Sequence, residues 1–110
     1  MQKSGFRLKA VAAAALALSL AIPAQAAARE FTVTMSNMSY ANLPRDAKVG
    51  DAIVWVNADT VEHSATAKDG SFDLRLLPGK RARTVLSKAG TVQVYCVMHA
   101  MMRATLKVAG

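Results

Sequence analysis

Hydrophobic and polar positions alternate with a period of two along most of the chain beyond residue 26. Phe31, Val33 and Met35 alternate with Thr32 and Thr34, and Val92, Val94 and Cys96 alternate with Gln93 and Tyr95. Ala104, Leu106 and Val108 alternate with Thr105 and Lys107, and Arg81, Arg83 and Val85 with Ala82 and Thr84. Successive side chains of a strand point to opposite faces, so this pattern predicts half-buried strands. Residues 52–57 (AIVWVN) form a nearly continuous apolar run, as for a strand buried on both faces, and residues 63–67 are strand-like. Turn signals separate the runs: Pro44 with Asp46, Gly50-Asp51, Asp69-Gly70, Pro78-Gly79 and Ala89-Gly90. No long stretch shows helical periodicity after the first 26 residues. Seven or eight short strands at this spacing predict an all-β fold, an antiparallel sandwich or barrel, in one domain over 27–110.

The opening stretch has a different character. Lys3, Arg7 and Lys9 precede 13 uncharged residues, 10–22, and Pro23-Ala24-Gln25-Ala26 follows. A basic start, a short apolar core and a small-x-small exit describe a cleavable secretory signal peptide over 1–26. A second exit pattern places cleavage after Ala28. A membrane span needs about 20 apolar residues, so the run is too short for an anchor.

Removal of that leader changes the charge. The whole chain carries 14 basic and 7 acidic residues, for +7, but three of the basic ones precede residue 27, leaving 84 residues at +4. A surplus of that size favours an acidic partner surface. It is too small and too dispersed for nucleic acid. Small exported domains are often stapled by disulfides. This chain has one cysteine, Cys96, which has no partner within the chain. A lone thiol outside the cytoplasm is expected to be buried or bound. Val92 and Val94 share its face of the strand, so Cys96 is expected at the core end of that strand. Residues 97–102 would then form a loop before the last strand.

That loop carries the chemistry. Cys96, His99 and Met102 read C-x-x-H-x-x-M, and His63, the other histidine, lies upstream. Thiolate and thioether are soft donors suited to Cu(I), while imidazole also accepts Cu(II). One Cys and two His around a copper ion with a weak axial Met describe an electron-transfer site. Haem attachment would need C-x-x-C-H, which is absent, and a structural zinc site would need two close ligand pairs.

Segment 95–108 (YCVMHAMMRATLKV) resembles the copper-binding end of the cupredoxins, the type 1 blue copper proteins. Its ligand spacing is most similar to that of the amicyanins; plastocyanins and pseudoazurins have a longer gap between His and Met. Val49-Gly50-Asp51 through Trp55 and Asn57 to His63 resembles the family's V-G-D-x-V-x-W-x-N run before the first histidine. The resemblance covers nearly all of the chain after the leader. It implies a Greek-key β-sandwich holding one copper through His63, Cys96, His99 and Met102, with Met101 as the alternative axial donor. It also implies a periplasmic monomer that docks briefly with redox proteins: a quinoprotein or similar dehydrogenase as electron donor, and a c-type cytochrome as acceptor. Three positions depart from the family pattern. Ser64 stands where Asn usually follows the first His, and Val97 and Met98 replace the Thr and Pro often found after the Cys.

The remaining features are read plainly. Met98, Ala100 and Met101 are expected as apolar cover around His99, which in the family lies nearer solvent. Lys80, Arg81 and Arg83 are either a charged strand edge that discourages aggregation or a docking surface. Trp55 is assigned to the core and Glu62 to solvent. No nucleophile triad, phosphate loop or paired carboxylates appear, so the chain is expected to be a carrier and not an enzyme. A copper carrier using the same ligands, a Cys-His-His zinc site and a metal-free sandwich are the alternatives.

Overall fold

The structure, a computed structural model, describes residues 28–110; the leader expected over 1–26 lies outside them. Among the described residues there are nine strands and no helix: β1 (Glu30–Ser36), β2 (Ser39–Ala41), β3 (Ala47–Lys48), β4 (Ala52–Asn57), β5 (His63–Ala67), β6 (Asp73–Leu76), β7 (Arg81–Val85), β8 (Gly90–Cys96) and β9 (His99–Ala109). The count exceeds the expected seven or eight. The extra strands are short, and β3, with two residues, leaves no period in the sequence to detect.

The strands form two sheets, in the orders β2-β1-β4-β7 and β3-β9-β8-β5-β6. The expectation of a purely antiparallel arrangement is corrected here. β1 runs parallel to β4, pairing Val33 with Trp55, and β3 runs parallel to β9, pairing Ala47 with Val108. After β2 the chain crosses to the second sheet, forms β3, and returns to enter β4 from the same end as β1. A parallel pair needs such a crossover because a tight hairpin can join only antiparallel strands.

The alternation reads directly into burial. Val33 and Met35 of β1, Val92, Val94 and Cys96 of β8, and Leu106 and Val108 of β9 all lie in one apolar core. β4 lies inside the first sheet with Ile53 and Trp55 fully enclosed, while Val54 and Val56 on its other face are only partly buried, so the expected burial on both faces holds in part. The Trp55 ring meets Tyr40 edge-on at 5.9 Å and Phe72 at 5.7 Å. Burying such a side chain contributes roughly 1.5–3 kcal/mol or more, so this aromatic trio anchors the contact between the sheets. β7 is an edge strand, and its Arg81, Arg83 and Val85 face outward. Arg83 pairs with Glu30 at 2.8 Å on the open face. Charge on an edge strand discourages pairing with another chain, which is the simpler of the two roles expected for that cluster.

The expected six-residue loop after Cys96 is also corrected. β9 begins at His99, so only Val97 and Met98 form the turn. The β8–β9 register pairs Tyr95 with Arg103 but Cys96 with His99, with an irregularity between Tyr95 and Cys96. The three residues left over, Ala100, Met101 and Met102, make a bulge in β9. A bulge re-aims side chains without ending the ladder, and here it lies next to Cys96.

Candidate metal centre

β8 delivers Cys96 to one end of the sandwich with its thiol fully buried. The two-residue turn then brings His99 back beside it, placing His99 Nδ1 3.4 Å from Cys96 Sγ. His63 opens β5, which pairs with β8 further along, and is itself fully buried. Its Nδ1 lies 3.9 Å from Cys96 Sγ and 3.3 Å from His99 Nδ1. The three donor atoms all lie within 4.8 Å of one another, although His63 is 33 and 36 residues from the other two. The imidazoles meet edge to face at 74°. Each turns Nδ1 toward the sulfur.

Backbone and side-chain hydrogen bonds hold this arrangement. The Ser64 N–H donates to Cys96 Sγ at 3.2 Å, and Ser64 Oγ accepts from the Val97 N–H at 2.9 Å. Serine, though shorter than the Asn the resemblance leads one to expect, thus still ties β5 to the turn after β8. The buried Tyr40 hydroxyl donates to the Ser64 carbonyl at 2.6 Å, and burial, with the nearby Cys96 side chain, raises the Tyr40 pKa. Ser64 Oγ also exchanges a hydrogen bond with Thr66 Oγ1, which donates to Asp73.

The far nitrogen of His63 has its own partner, Asp59. Asp59 Oδ2 lies 2.7 Å from His63 Nε2. The same carboxylate accepts the Met38 and Asn37 N–H groups at 3.0 and 2.8 Å. The Met38 amide, then the His63 and Asn37 hydrogen bonds, hold the Asp59 carboxyl down at about 2. It is therefore ionised at neutral pH and can only accept, so Nε2 carries the proton and Nδ1 offers its lone pair to the site. Asn57, fully buried at the end of β4, shapes the loop: its amide donates to the carbonyls of Val61 and Leu76 and accepts from the Asp59 N–H. Asp59 and Tyr40 were not singled out in the sequence. A carboxylate four residues before a candidate ligand was the available signal for Asp59.

The methionines divide by exposure. Met102, in the bulge, is 1% exposed and belongs to the same core cluster as Cys96, whereas Met101 is 79% exposed. Met98 Sδ lies 3.6 Å from Cys96 Sγ at the rim. His99 is half-buried, and Val97, Met98, Ala100 and Met101 around it are exposed; Glu62 is exposed as expected.

The donor chemistry can be tested against a metal. Two imidazole nitrogens and a thiol sulfur face one point, and the nitrogens stand at 3.3 Å, where bare lone pairs would repel unless a proton or cation lies between them. Thiolate with two imidazoles suits a soft, borderline ion. The His63, Cys96, His99 cluster fits a type 1 copper site.

Comparison with known proteins agrees. No protein-family model matches the chain. The methylamine utilization protein MauL of Methylorubrum extorquens is 37% identical over 107 residues, spanning 94% of this chain and 92% of that one. Among solved structures, a reduced mutant of amicyanin is 25% identical, covering 72% of this chain and 81% of its own, with a TM-score of 0.60. Amicyanin from Paracoccus versutus covers 82% and 87% at 22% identity, with a TM-score of 0.62. A purple cupredoxin from Nitrosopumilus maritimus covers 71% and 98%, also at 22% and 0.62. These last two speak to the fold, while the MauL likeness extends to the sequence over 94% of the chain. The chain belongs to the cupredoxins, in the group that includes MauL and is similar to amicyanin, and its cofactor is copper.

Proposed function

We propose that His63, Cys96, His99 and Met102 hold one copper ion and that the protein carries single electrons between redox partners in the periplasm. The convergence of the Cys96 sulfur and both Nδ1 atoms within 4.8 Å carries this reading. Copper, when bound, supplies the one-electron couple; the protein supplies a site that need not rearrange. Cys96 is held by the Ser64 amide, and His63 by Asp59. Burial of Cys96 and His63 excludes water. His99, half-buried behind Val97 and Met98, is the side chain through which an electron reaches the surface. Met102 is the axial donor on this reading, because it is enclosed with Cys96 while Met101 points to solvent.

The exposed Val97, Met98 and Met101 suit brief docking of a partner by an apolar contact. Lys68 and Arg103 line a shallow cleft with Tyr95 and Cys96, which favours an acidic partner. The relative's name places that protein in methylamine utilization. This supports a quinoprotein or similar dehydrogenase acting on a small amine as donor, with a c-type cytochrome as acceptor. The expected leader supports export, and the protein would work as a monomer and as a carrier, not an enzyme.

Adding Cu(II) to the purified protein should give an intense blue thiolate-to-copper band and a type 1 spin-resonance signal. Cys96→Ser should abolish the band. A colourless protein after full copper loading would overturn the reading. A second reading, delivery of copper to another protein, is favoured by the Met98 sulfur 3.6 Å from Cys96 at the rim, a soft donor where an ion would leave. The two differ in metal retention: a shuttle keeps its copper through repeated reduction and oxidation, and a deliverer loses Cu(I) to a competing chelator on the same timescale.

A further inference from the structure

Asp59 is built into the fold more firmly than an exposed loop carboxylate would be. Each of its oxygens accepts a backbone N–H, from Asn37 and Met38, and its own N–H is held by Asn57 Oδ1. Asn37 and Met38 form the two-residue β1–β2 turn with φ of 53° and 62°. Glycine is usual at the second position of such a turn, since a long side chain is strained there. The turn nevertheless carries Met38, and its two successive amides point at one carboxylate. What remains to Oδ2 is the contact with His63 Nε2 at 2.7 Å. Glu62, adjacent in sequence to His63, makes no hydrogen bond or ion pair among the described residues and is exposed.

We propose that Asp59 is a positioning residue that locks His63 in the tautomer presenting Nδ1 to the copper and, by its charge, makes that imidazole a stronger donor, favouring Cu(II) over Cu(I). The inference rests on His63 being a copper ligand. Carboxylates behind metal-bound histidines fix the ring and raise its basicity, and their loss typically costs 10–100-fold in metal affinity. A stronger, more anionic donor stabilises the more highly charged ion more. Asp59 therefore holds the reduction potential below the value the four ligands would set alone. The β1–β2 turn becomes part of the redox site because its two amides hold the carboxylate.

The test compares wild type, Asp59→Asn and Asp59→Glu, each loaded with copper, by spectroelectrochemistry and by Cu(I) and Cu(II) competition titrations. Asp59→Asn should remain blue and lose roughly 10–100-fold in Cu(II) affinity. Its Cu(I) affinity should fall about tenfold less, which raises the potential by about 59 mV. Asp59→Glu, which keeps the charge, should move part of the way back. A blue Asp59→Asn with an unshifted potential, or with equal losses for both ions, would make Asp59 merely structural. Should the variant fail to fold, nitrogen-15 NMR of the wild-type Cu(I) protein decides: His63 must show a slowly exchanging Nε2–H shifted downfield by a carboxylate acceptor, and its absence overturns the proposal. A wild type that takes up no copper would instead refute the function proposed above, and this inference would fall with it.

Discussion

Ser64 is the residue that links β5 to the turn after β8. Its amide donates to the Cys96 sulfur and its hydroxyl accepts the Val97 N–H, so one short side chain sets the distance between β5 and the turn after β8. Ser64→Ala keeps the first bond and removes the second. A partly buried N–H left without a partner costs about 1–3 kcal/mol. In a domain of this size each kcal/mol lowers the melting temperature by roughly 4–8 °C. Calorimetry of the copper-free protein should show that fall, with the blue band retained because the sulfur contact survives. The methionines make a second residue-scale prediction. Met102→Leu should keep the blue colour and shift the potential, whereas Met101→Leu, at a 79% exposed position, should leave both unchanged. The opposite pattern in the visible spectrum and the potential would reassign the axial donor.

At the scale of elements, the β8–β9 hairpin determines the site. Beyond the bulge, Leu106 and Val108 face the core opposite Val92 and Gly90, and a one-residue slip would turn both out to solvent. Their burial therefore fixes the register of most of β9. The end of the hairpin is fixed separately by the Cys96–His99 pairing, and the three residues of the bulge absorb the mismatch. Deleting Ala100 should leave the core register intact and concentrate the strain between His99 and Met102. Circular dichroism should still report a β protein, while the copper spectrum loses its blue type 1 character. Loss of both together would show that the bulge is needed for folding. The turn itself could not be read from the sequence. Val97, Met98, Ala100 and Met101 carry no glycine or proline to mark its ends, and their apolar character follows from the surface around His99, not from a period.

Across the whole molecule, the carboxylates are engaged far beyond the metal centre. Asp51 accepts the Arg29 and Lys48 amides and an Arg29 guanidinium contact, tying β1, β3 and β4, and the Arg29 amide leads in holding its pKa down. Asp73, beside Arg75 and Thr66, and Asp69, beside Ser71, are lowered too, and Asp59 falls to about 2 from 3.8. A carboxylate whose pKa is depressed on folding contributes stability above its unfolded value and loses it as pH falls through the folded one. The copper-free protein should thus lose stability progressively as pH falls from about 4 toward pH 2. In Asp59→Asn that decline should be shallower, as measured by thermal melts across the pH series. A flat profile down to pH 2 would mean that these contacts do not persist in solution.

Period-two alternation was enough to place Val33, Met35, Val94, Cys96 and Leu106 inside, and the apolar run 52–57 to place Trp55, because facing and burial are local properties of a strand. The residue types at 63, 96, 99 and 102 were likewise enough to point to copper, because donor softness belongs to the side chain itself. Which strands are neighbours was not legible: nothing in β1 or β4 announces that they run parallel, since pairing follows from where the intervening chain travels. Nor were the contacts of Tyr40 with Ser64, across 24 residues, or of Asn37 and Met38 with Asp59, across 22 and 21. Hydrogen bonds are satisfied by whatever group the fold brings within 3 Å, and only the closed sandwich specifies that group. The sequence by itself determined the inward faces and the kind of ion; the tertiary structure decided how the donors are aimed and which charge stands behind His63.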